Sequence, residues 1–380
     1  MKAIAGLAFC FGWLISFSTA AADRPVGFGA GATGGCHEAR CVCHVRSPTQ
    51  EALLACLATP GSGTVVFDSV AEIAIDSPAG GKRATVKIPS DKTIQGPVTL
   101  VSNGTTLEID GQSNIVIRDV AFHSSLSDHP ECKHIGSPRE SARCGVAIYI
   151  LGESRNIWID HNDFTQCGEK CLEIWAQPTR GEAGGGRLVG PDLITISDNR
   201  FTNSYYGAAV GVYAQTPESE LPEHERVTFY GNLFDNIFRR SPRVASHAWA
   251  HVFNNVIRDW GGRDSCVGAA KGFGPSSVGG AQMVLENNVF EAWPSRGACK
   301  APLDLSEYGV NHGLYRGEGF ARASGSATAN GATIAEVGAG EVFDPRASYP
   351  YQLLPTDAVA RSVKANAGAR RALAETAQPQ

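Results

Sequence analysis

The stretch NIWIDHNDF, residues 156–164, contains the pattern that decides the fold. The apolar residues Ile157 and Ile159 alternate with other side chains, and Asn162 then stands two positions before Phe164. Alternation with a period of two indicates a β-strand, because successive side chains of a strand point to opposite faces. The stretch therefore predicts a strand with one buried face.

The same pattern returns in five other places along the chain. These copies are NIVIRDVAF (114–122), LITISDNRF (193–201), RVTFYGNLF (226–234), AHVFNNVI (250–257) and MVLENNVF (283–290). Successive copies are 42, 37, 33, 23 and 33 residues apart. The shortest step suits one coil of a parallel β-helix, and the longer steps suit a coil with inserted loops. We therefore predict an all-β solenoid in which like residues stack on like.

Five copies place an asparagine at the same position: Asn162, Asn199, Asn232, Asn255 and Asn288. An asparagine in a bend can bond the backbone of its own turn and the next asparagine, so we predict a hydrogen-bonded ladder at a buried corner. Ligand binding by these residues is the alternative, but the repeat itself explains a repeated position more economically. The phenylalanines that end the copies are predicted core residues.

The composition of the 380 residues is 43% hydrophobic and 19% charged, with 43 Gly, which excludes a disordered tail protein, a coiled coil and a collagen-like repeat. Lys2 precedes an apolar run, residues 4–17, that ends in Ala20–Ala22. This pattern predicts a signal peptide over residues 1–22 and a secreted protein, extracellular or periplasmic. The net charge of −5 gives no reason to expect nucleic acid as a partner, and no membrane partner is expected after signal cleavage.

Ten of the 11 cysteines lie beyond the predicted signal peptide. In an oxidising compartment they can form up to five disulfides, whose connectivity the sequence does not reveal. The dense group Cys36, His37, Cys41, Cys43 and His44 could instead hold a metal. Its spacing fits no common zinc pattern, so we favour disulfides.

Three regions follow the predicted signal peptide. Residues 23–62, which include the helical pattern Thr49–Ala58, are expected to cap the N-terminal end of the solenoid. Residues 63–300 form the predicted β-helix, and residues 301–380 an irregular C-terminal segment packed on it. A capped solenoid has no need of a partner subunit, so we expect a monomer.

Several strings resemble the pectate and pectin lyases of the parallel β-helix class. They are RPVGFGAGATGG (24–35), WIDH (158–161), RVTFYGNLF (226–234) followed by RRSPRV (239–244), and YPYQLLPTDAVARSVKANAGA (349–369). The resemblance runs from about residue 25 to residue 370. It implies a single-stranded right-handed parallel β-helix that cleaves 4-linked galacturonan, as pectate or pectin, by β-elimination.

The resemblance also implies the catalytic residues. The family string R-x-P-R falls on residues 240–243, which makes Arg240 the candidate base and Arg243 a candidate substrate-binding residue. Guanidinium normally keeps its proton, and lowering an arginine pKa by ~4 units takes about 5–6 kcal/mol, so we expect an enzyme that works best in alkaline solution. The alternative is that Arg239, Arg240 and Arg243 form a solvated basic face.

The family's pair of calcium-binding acids falls on Glu169 and Glu173. Carboxylates are suitable ligands for Ca²⁺. In a straight strand four steps separate the two backbones by about 13 Å, so the chain must bend between them. Cys167 and Cys171 could hold such a bend by disulfides. Two exposed glutamates at a coil edge are the alternative.

The sequence departs from the family pattern at three site positions. Val146 falls near the place of a third calcium-binding acid, Tyr206 in place of a lysine, and Ala245 in place of an arginine. A neutral, methyl-esterified substrate would need fewer cations, as in the pectin lyase branch, which works without calcium. Alternatively, another basic residue takes over: Lys170, Arg258 or Arg263.

The sequence leaves two functions from other classes open. Loss of activity would leave a carbohydrate-binding protein on the same solenoid. A pectin-acting glycoside hydrolase would need two acids about 5–10 Å apart across a cleft, whereas Asp160 and Asp163 sit on one repeat and alternate between faces.

Overall fold

The computed structural model describes residues 24–76, 86–125, 144–178, 187–212, 218–261, 272–293, 300–305, 318–334 and 342–370. The predicted signal peptide and Arg263 lie outside these ranges. No helix in the described ranges has both the length and the apolar character needed to cross a bilayer.

The described residues are mainly β-strands, with two α-helices. The helices are α1 (Gln50–Leu57) and α2 (Thr356–Asn366). The strands are β1 (Val42–Val45), β2 (Gly63–Phe67), β3 (Ala71–Ile75), β4 (Lys92–Ser102), β5 (Leu107–Asp110), β6 (Ser113–Ser124), β7 (Val146–Leu151), β8 (Arg155–Asp160), β9 (Asp163–Thr165), β10 (Lys170–Trp175), β11 (Gln177–Pro178), β12 (Leu188–Val189), β13 (Asp192–Ser197), β14 (Arg200–Val210), β15 (Glu225–Tyr230), β16 (Leu233–Arg239), β17 (Arg243–Ala245), β18 (Ala248–Phe253), β19 (Val256–Arg258), β20 (Ser276–Val278), β21 (Gln282–Glu286), β22 (Val289–Glu291), β23 (Phe320–Ser324) and β24 (Ala327–Ala329).

Most of the strands stack in three parallel lines, and the long strand β14 belongs to two of them. The first line runs β4–β6–β8–β13–β15–β18–β21–β23 and the second β9–β14–β16–β19–β22–β24. The third line runs β5–β7–β10–β14–β17–β20. Strands β11 and β12 form a separate antiparallel pair. The predicted all-β parallel β-helix is therefore confirmed, with the right-handed sense that parallel crossovers adopt.

The asparagine ladder forms as predicted. Asn162 Nδ2 donates to Asn199 Oδ1 at 3.0 Å, and Asn199 Nδ2 donates to Asn232 Oδ1 at 3.1 Å. The series continues through Asn255 to Asn288 at 3.0 Å for each step. All five side chains are fully buried, which excludes the ligand-binding alternative.

A stack of phenylalanines lies next to the ladder in the second line. Phe122, Phe164, Phe201 and Phe234 follow one another with ring centroids 4.6–5.0 Å apart and nearly parallel planes. Each ring is at most 1% exposed, as predicted for core residues. Burying a phenylalanine contributes about 2–3 kcal/mol, so every coil adds its own increment to the core.

Helix α1 packs against the first three strands, β1, β2 and β3. The Thr49 hydroxyl accepts from the Ala52 N–H at 3.2 Å and caps the first turn of α1. Leu53 is fully buried in the main core. A disulfide between Cys43 and Cys56 joins β1 to α1.

A second disulfide joins Cys36 to Cys41. The disulfide interpretation of this cysteine group is therefore confirmed over the metal alternative.

The coil stacking continues past residue 300, within the segment that was predicted to be irregular. Strand β23 pairs with β21, and β24 pairs with β22. At the ladder position of this coil the Ser326 hydroxyl accepts from the Asn288 N–H at 3.3 Å. Residues 342–370 then return along the outside, where Val359 and Val363 of α2 pack against the second line.

Replacing Asn232 by alanine should lower the free energy of unfolding by about 2–4 kcal/mol. The change leaves the Ile196 carbonyl and the Asn199 N–H without their side-chain partners inside the protein. Chemical denaturation followed by circular dichroism measures the loss. The matched change Asn366→Ala, on an exposed position of α2, should stay within about 0.5 kcal/mol of the parent. Identical denaturation midpoints for the parent and Asn232→Ala would contradict a stabilising ladder.

Candidate functional site

One row on the third line contains two of the predicted site residues. Parallel pairing places Glu108, Tyr149, Glu173, Ala209 and Arg243 in register on consecutive strands. Neighbouring strands are about 4.8 Å apart, so the backbones of Glu173 and Arg243 are about 10 Å apart. Both side chains are buried. The structure therefore brings a predicted metal ligand and the predicted substrate-binding arginine onto the same buried strip.

Tyr206 is the centre of a second group on the same line. Lys170 is in register with Val146 on one side and with Tyr206 on the other. The Arg240 guanidinium carbon lies 3.8 Å from the centroid of the Tyr206 ring, and Lys170 Nζ lies 5.9 Å from it. Both distances are within the range of a cation–π interaction. The predicted base and a lysine thus share one aromatic neighbour.

The backbone of Arg240 is held in an uncommon conformation. Its φ of 68° lies in the left-handed region, where the other non-glycine residues of the described ranges are mostly Asn and Asp and none is a Lys or another Arg. The Arg240 carbonyl accepts from the Ala208 N–H at 2.8 Å. A Cβ on Gly207 would lie 2.6 Å from that carbonyl oxygen, so a glycine is required there. Contacts between the Arg240 backbone and the neighbouring coil therefore fix the direction in which the Arg240 side chain points.

The arginines of RRSPR do not form a solvated basic face. Arg239, Arg240 and Arg243 are 3%, 4% and 1% exposed. The Arg239 guanidinium lies 5.1 Å and 5.5 Å from the ring centroids of Phe238 and Phe273. Arg239 and Arg240 thus contact different aromatic side chains. The alternative that these arginines form a solvated basic face is wrong.

The two predicted calcium ligands converge on a lysine. Lys170 Nζ lies 2.6 Å from Glu169 Oε1 and 3.1 Å from Glu173 Oε1. The expected bend is present, because Glu169 precedes β10 in a turn that the disulfide Cys167–Cys171 closes. The side chains are 13% and 0% exposed, so the alternative of two exposed glutamates is also wrong.

These residues do not fit a calcium ion. Ca²⁺ takes six to eight oxygen ligands at about 2.3–2.6 Å, but the point that Glu169 and Glu173 share is taken by the Lys170 ammonium. Val146, the strand neighbour of Lys170, offers no side-chain oxygen. A divalent ion about 4 Å from the ammonium would meet a repulsion of about 8 kcal/mol at an effective dielectric constant of about 20. The resemblance to the family assigned both glutamates to calcium and did not reveal that Lys170 lies between them.

One group of three potential metal ligands occurs among the described residues, on the first line rather than the third. It consists of Asp160, His161 and Asp198. His161 Nδ1 lies 2.8 Å from Asp160 Oδ2, so hydrogen bonding already accounts for this pair. Asp163 accepts two 2.8 Å hydrogen bonds from Arg200. Asp160 and Asp163 are thus engaged in structural contacts, which disfavours them as the acid pair of a glycoside hydrolase.

Comparison with known proteins identifies the family. Residues 18–372 match the family model for pectate lyases. Pectate lyase plyB of Emericella nidulans is 26% identical over 236 residues, which cover 60% of this chain and 59% of that protein. Pectate trisaccharide-lyase of Thermotoga sp. strain RQ2 is 28% identical over 195 residues, covering 51% and 43%. The chain therefore spans less than two thirds of the length of these curated relatives.

Solved structures show the same fold. The cedar pollen allergen Jun a 1 aligns with a TM-score of 0.65 at 20% identity, covering 92% of this chain and 94% of that one. Pectate lyase Bsp165PelA from Bacillus sp. N165, in complex with trigalacturonate, aligns with a TM-score of 0.56 at 20% identity, covering 90% and 98%. The chain thus shares its fold with these two structures. The chain belongs to the pectate lyase family.

Glu225, at the start of β15, is a buried acid that interacts with Arg243. It is fully buried, and within the described part of the chain neither carboxyl oxygen has a hydrogen-bond partner. Burial raises the pKa of Glu225 to about 8, with a further rise from the charge of Asp192 and an opposing effect of Arg243. At neutral pH the carboxyl is therefore mostly protonated and leaves the positive charge of Arg243 undiminished.

Replacing Glu225 by glutamine should stabilise the protein progressively as the pH rises from about 4.5 to 8. The folded state of the parent holds the proton more tightly than the unfolded state, so the parent loses stability across this window, on the order of 5 kcal/mol in total. Glutamine carries no proton to lose. Urea denaturation at several pH values gives the difference, with the exposed Glu153→Gln as the control. A pH-independent difference between Glu225→Gln and the parent would contradict the raised pKa.

Proposed function

We propose that the protein is a secreted polysaccharide lyase that cleaves 4-linked galacturonan by β-elimination, with Arg240 as the base. The observation that carries the proposal is the Arg240 guanidinium, which a left-handed backbone holds against Tyr206, and the strand of Tyr206 pairs with β10 at the Glu169–Lys170–Glu173 cluster. Membership of the pectate lyase family and the names of the relatives support the substrate class.

The reaction removes a proton from the ring carbon next to the uronate carboxylate. Electrons of that C–H bond form a double bond to the neighbouring carbon, whose bond to the glycosidic oxygen breaks. The leaving oxygen takes up a proton, and one of the two products is unsaturated. Negative charge gathers on the carboxylate and the adjacent carbon in the transition state, so fixed cations at that place lower the barrier.

Arg240 and Arg243 have separate tasks in this proposal. Arg240 abstracts the proton in its neutral form, and Arg243 contributes positive charge to the substrate strip. Both are nearly fully buried, so a sugar reaches them only when the side chains packed over them move aside. The exclusion of water then strengthens every charge interaction within the site.

Export and the monomeric state are part of the same proposal. The pattern of residues 1–22 and the disulfides Cys36–Cys41, Cys43–Cys56 and Cys167–Cys171 support an oxidising compartment. Helix α1, packed against the first three strands, supports a solenoid that needs no partner at its N-terminal end.

The methylation state of the preferred substrate distinguishes a pectate lyase from a pectin lyase. Polygalacturonate presents a carboxylate on every ring, whereas methyl-esterified pectin presents few. Incubation with each polymer, followed by ultraviolet absorbance of the unsaturated product, identifies the substrate. New reducing ends without absorbance would indicate hydrolysis, and binding without either signal would indicate a carbohydrate-binding protein.

Replacing Arg240 by alanine should reduce the rate of absorbance increase at least about 10³-fold, because the group that removes the proton is lost. The far-ultraviolet circular dichroism spectrum should remain that of the parent. Arg155→Ala, an exposed arginine at the start of β8, is the control and should keep the parental rate. Unchanged turnover in Arg240→Ala would end the assignment of the base.

A further inference from the structure

The side-chain ammonium of Lys170 lies where the resemblance to the family predicts a calcium ion. The Lys170 side chain is 2% exposed, and its ammonium lies 2.6 Å from Glu169 Oε1 and 3.1 Å from Glu173 Oε1. Glu169 and Glu173 are the residues that the resemblance assigned to calcium. The ammonium thus stands at the point where the two carboxylates meet.

The backbone around the cluster is fixed on both sides. The disulfide Cys167–Cys171 closes the turn that contains Glu169 and Lys170. Within that turn a Cβ on Gly168 would lie 1.9 Å from the Cys144 carbonyl oxygen, so this close approach is open only to glycine. The Glu169 N–H donates to the Gly145 carbonyl at 2.8 Å. Glu173 lies within β10 and is held by the strand pairing.

The ammonium has the donor capacity for a third anionic partner. Lysine carries three N–H donors, and Glu169 and Glu173 account for two of them. Lys170 Nζ and the Arg240 guanidinium both approach the Tyr206 ring, at 5.9 Å and 3.8 Å. Because both cations lie within 6 Å of the same ring centroid, this geometry allows a uronate with its acidic hydrogen at Arg240 to place its carboxylate near Lys170.

We propose that the Lys170 ammonium, held by Glu169 and Glu173, binds the uronate carboxylate of the substrate in place of a divalent ion. This inference rests on the proposed lyase function. It makes Lys170 a substrate-binding residue and turnover independent of added calcium. It selects the alternative in which another basic residue takes over, because the Lys170 ammonium stands in for the ion that lacks a ligand at Val146 and for the lysine that Tyr206 replaces.

The first test compares the parent protein in chelator and in calcium. Turnover of polygalacturonate should differ less than twofold between EDTA and millimolar CaCl₂. Calorimetric titration of CaCl₂ into the parent should give no heat from a site, and calcium should not raise the melting temperature. Loss of turnover in EDTA with recovery in calcium, or a calcium-dependent rise in melting temperature that Glu173→Gln abolishes, would overturn the proposal.

The second test removes the lysine charge at nearly constant shape. Lys170→Met should lower kcat/KM on polygalacturonate at least 100-fold but on highly methyl-esterified pectin less than 10-fold, because an ester presents no carboxylate to the ammonium. A purely structural role would lower both to the same extent, which would contradict the proposal. Lys364→Met, exposed on α2, should match the parent on both polymers.

A further variant tests the proposal if Lys170→Met fails to fold. The combination Lys170→Met, Glu169→Gln and Glu173→Gln leaves no buried charge in the cluster without a partner of opposite sign, and it should show the same difference between the two polymers. Calorimetric titration of trigalacturonate in EDTA decides the proposal even if the parent makes no unsaturated product. In that case, binding that is at least 10-fold weaker in the combined variant than in the parent supports Lys170 as the carboxylate partner and rejects only the lyase function. Equal binding rejects the Lys170 proposal.

Discussion

The hydrogen bond from each ladder asparagine to the next is the constraint on which the rest of the structure depends. Each amide donates to its neighbour's oxygen, as from Asn199 to Asn232, and also to a backbone carbonyl of the preceding coil, Ile159 in this case. A slip of one residue between coils would turn every inward side chain outward and separate each amide from its partner. The ladder therefore sets one register for all three strand lines.

That register positions the candidate site. Steps between coils vary from 23 to 42 residues, yet the strand partners on the third line stay aligned. Inserted loops cost little when their ends are fixed. The distance between Glu173 and Arg243 is thus set by the number of strand spacings between them and not by the lengths of the loops. The glycines at 168 and 207, where neighbouring backbone leaves no room for a Cβ, refine the position of the side chains that follow them.

The sequence predicted the fold and the elements of the ladder because both have a local pattern. Period-two alternation and the asparagine spacing are visible in NIWIDHNDF without knowledge of any contact. The coil at Phe320–Ser324 was not recognised, because small residues and Ser326 replace the large apolar residues and the asparagine there. Only stacking on β21 reveals it as a strand of the first line.

The site was predicted less completely, because its contacts join distant parts of the chain. Glu169, Glu173, Arg240 and Arg243 were identified by resemblance, and the bend at Glu169 by simple geometry. The contact between Arg240 and Tyr206 depends on the register of β14 against β16, which no local pattern specifies. The pairing of Lys170 with both glutamates likewise depends on a turn closed by a disulfide whose connectivity the sequence did not reveal.

Charged side chains are buried on all three strand lines, for example Glu225 on the first, Arg239 on the second and Glu173 on the third, and those of the third line belong to the candidate site. The ladder corner uses neutral amides whose donors and acceptors are paired, and such networks stabilise a fold. The third line instead buries Glu108, Glu173, Lys170 and Arg243. Buried ion pairs are often no more stable than apolar residues of the same volume, so stability does not explain these charges. Real proteins break their own packing rules mainly at functional sites. The charges of the third line therefore fit the proposed chemistry there, and the ladder and the stacked core supply the stability that lets the fold retain them.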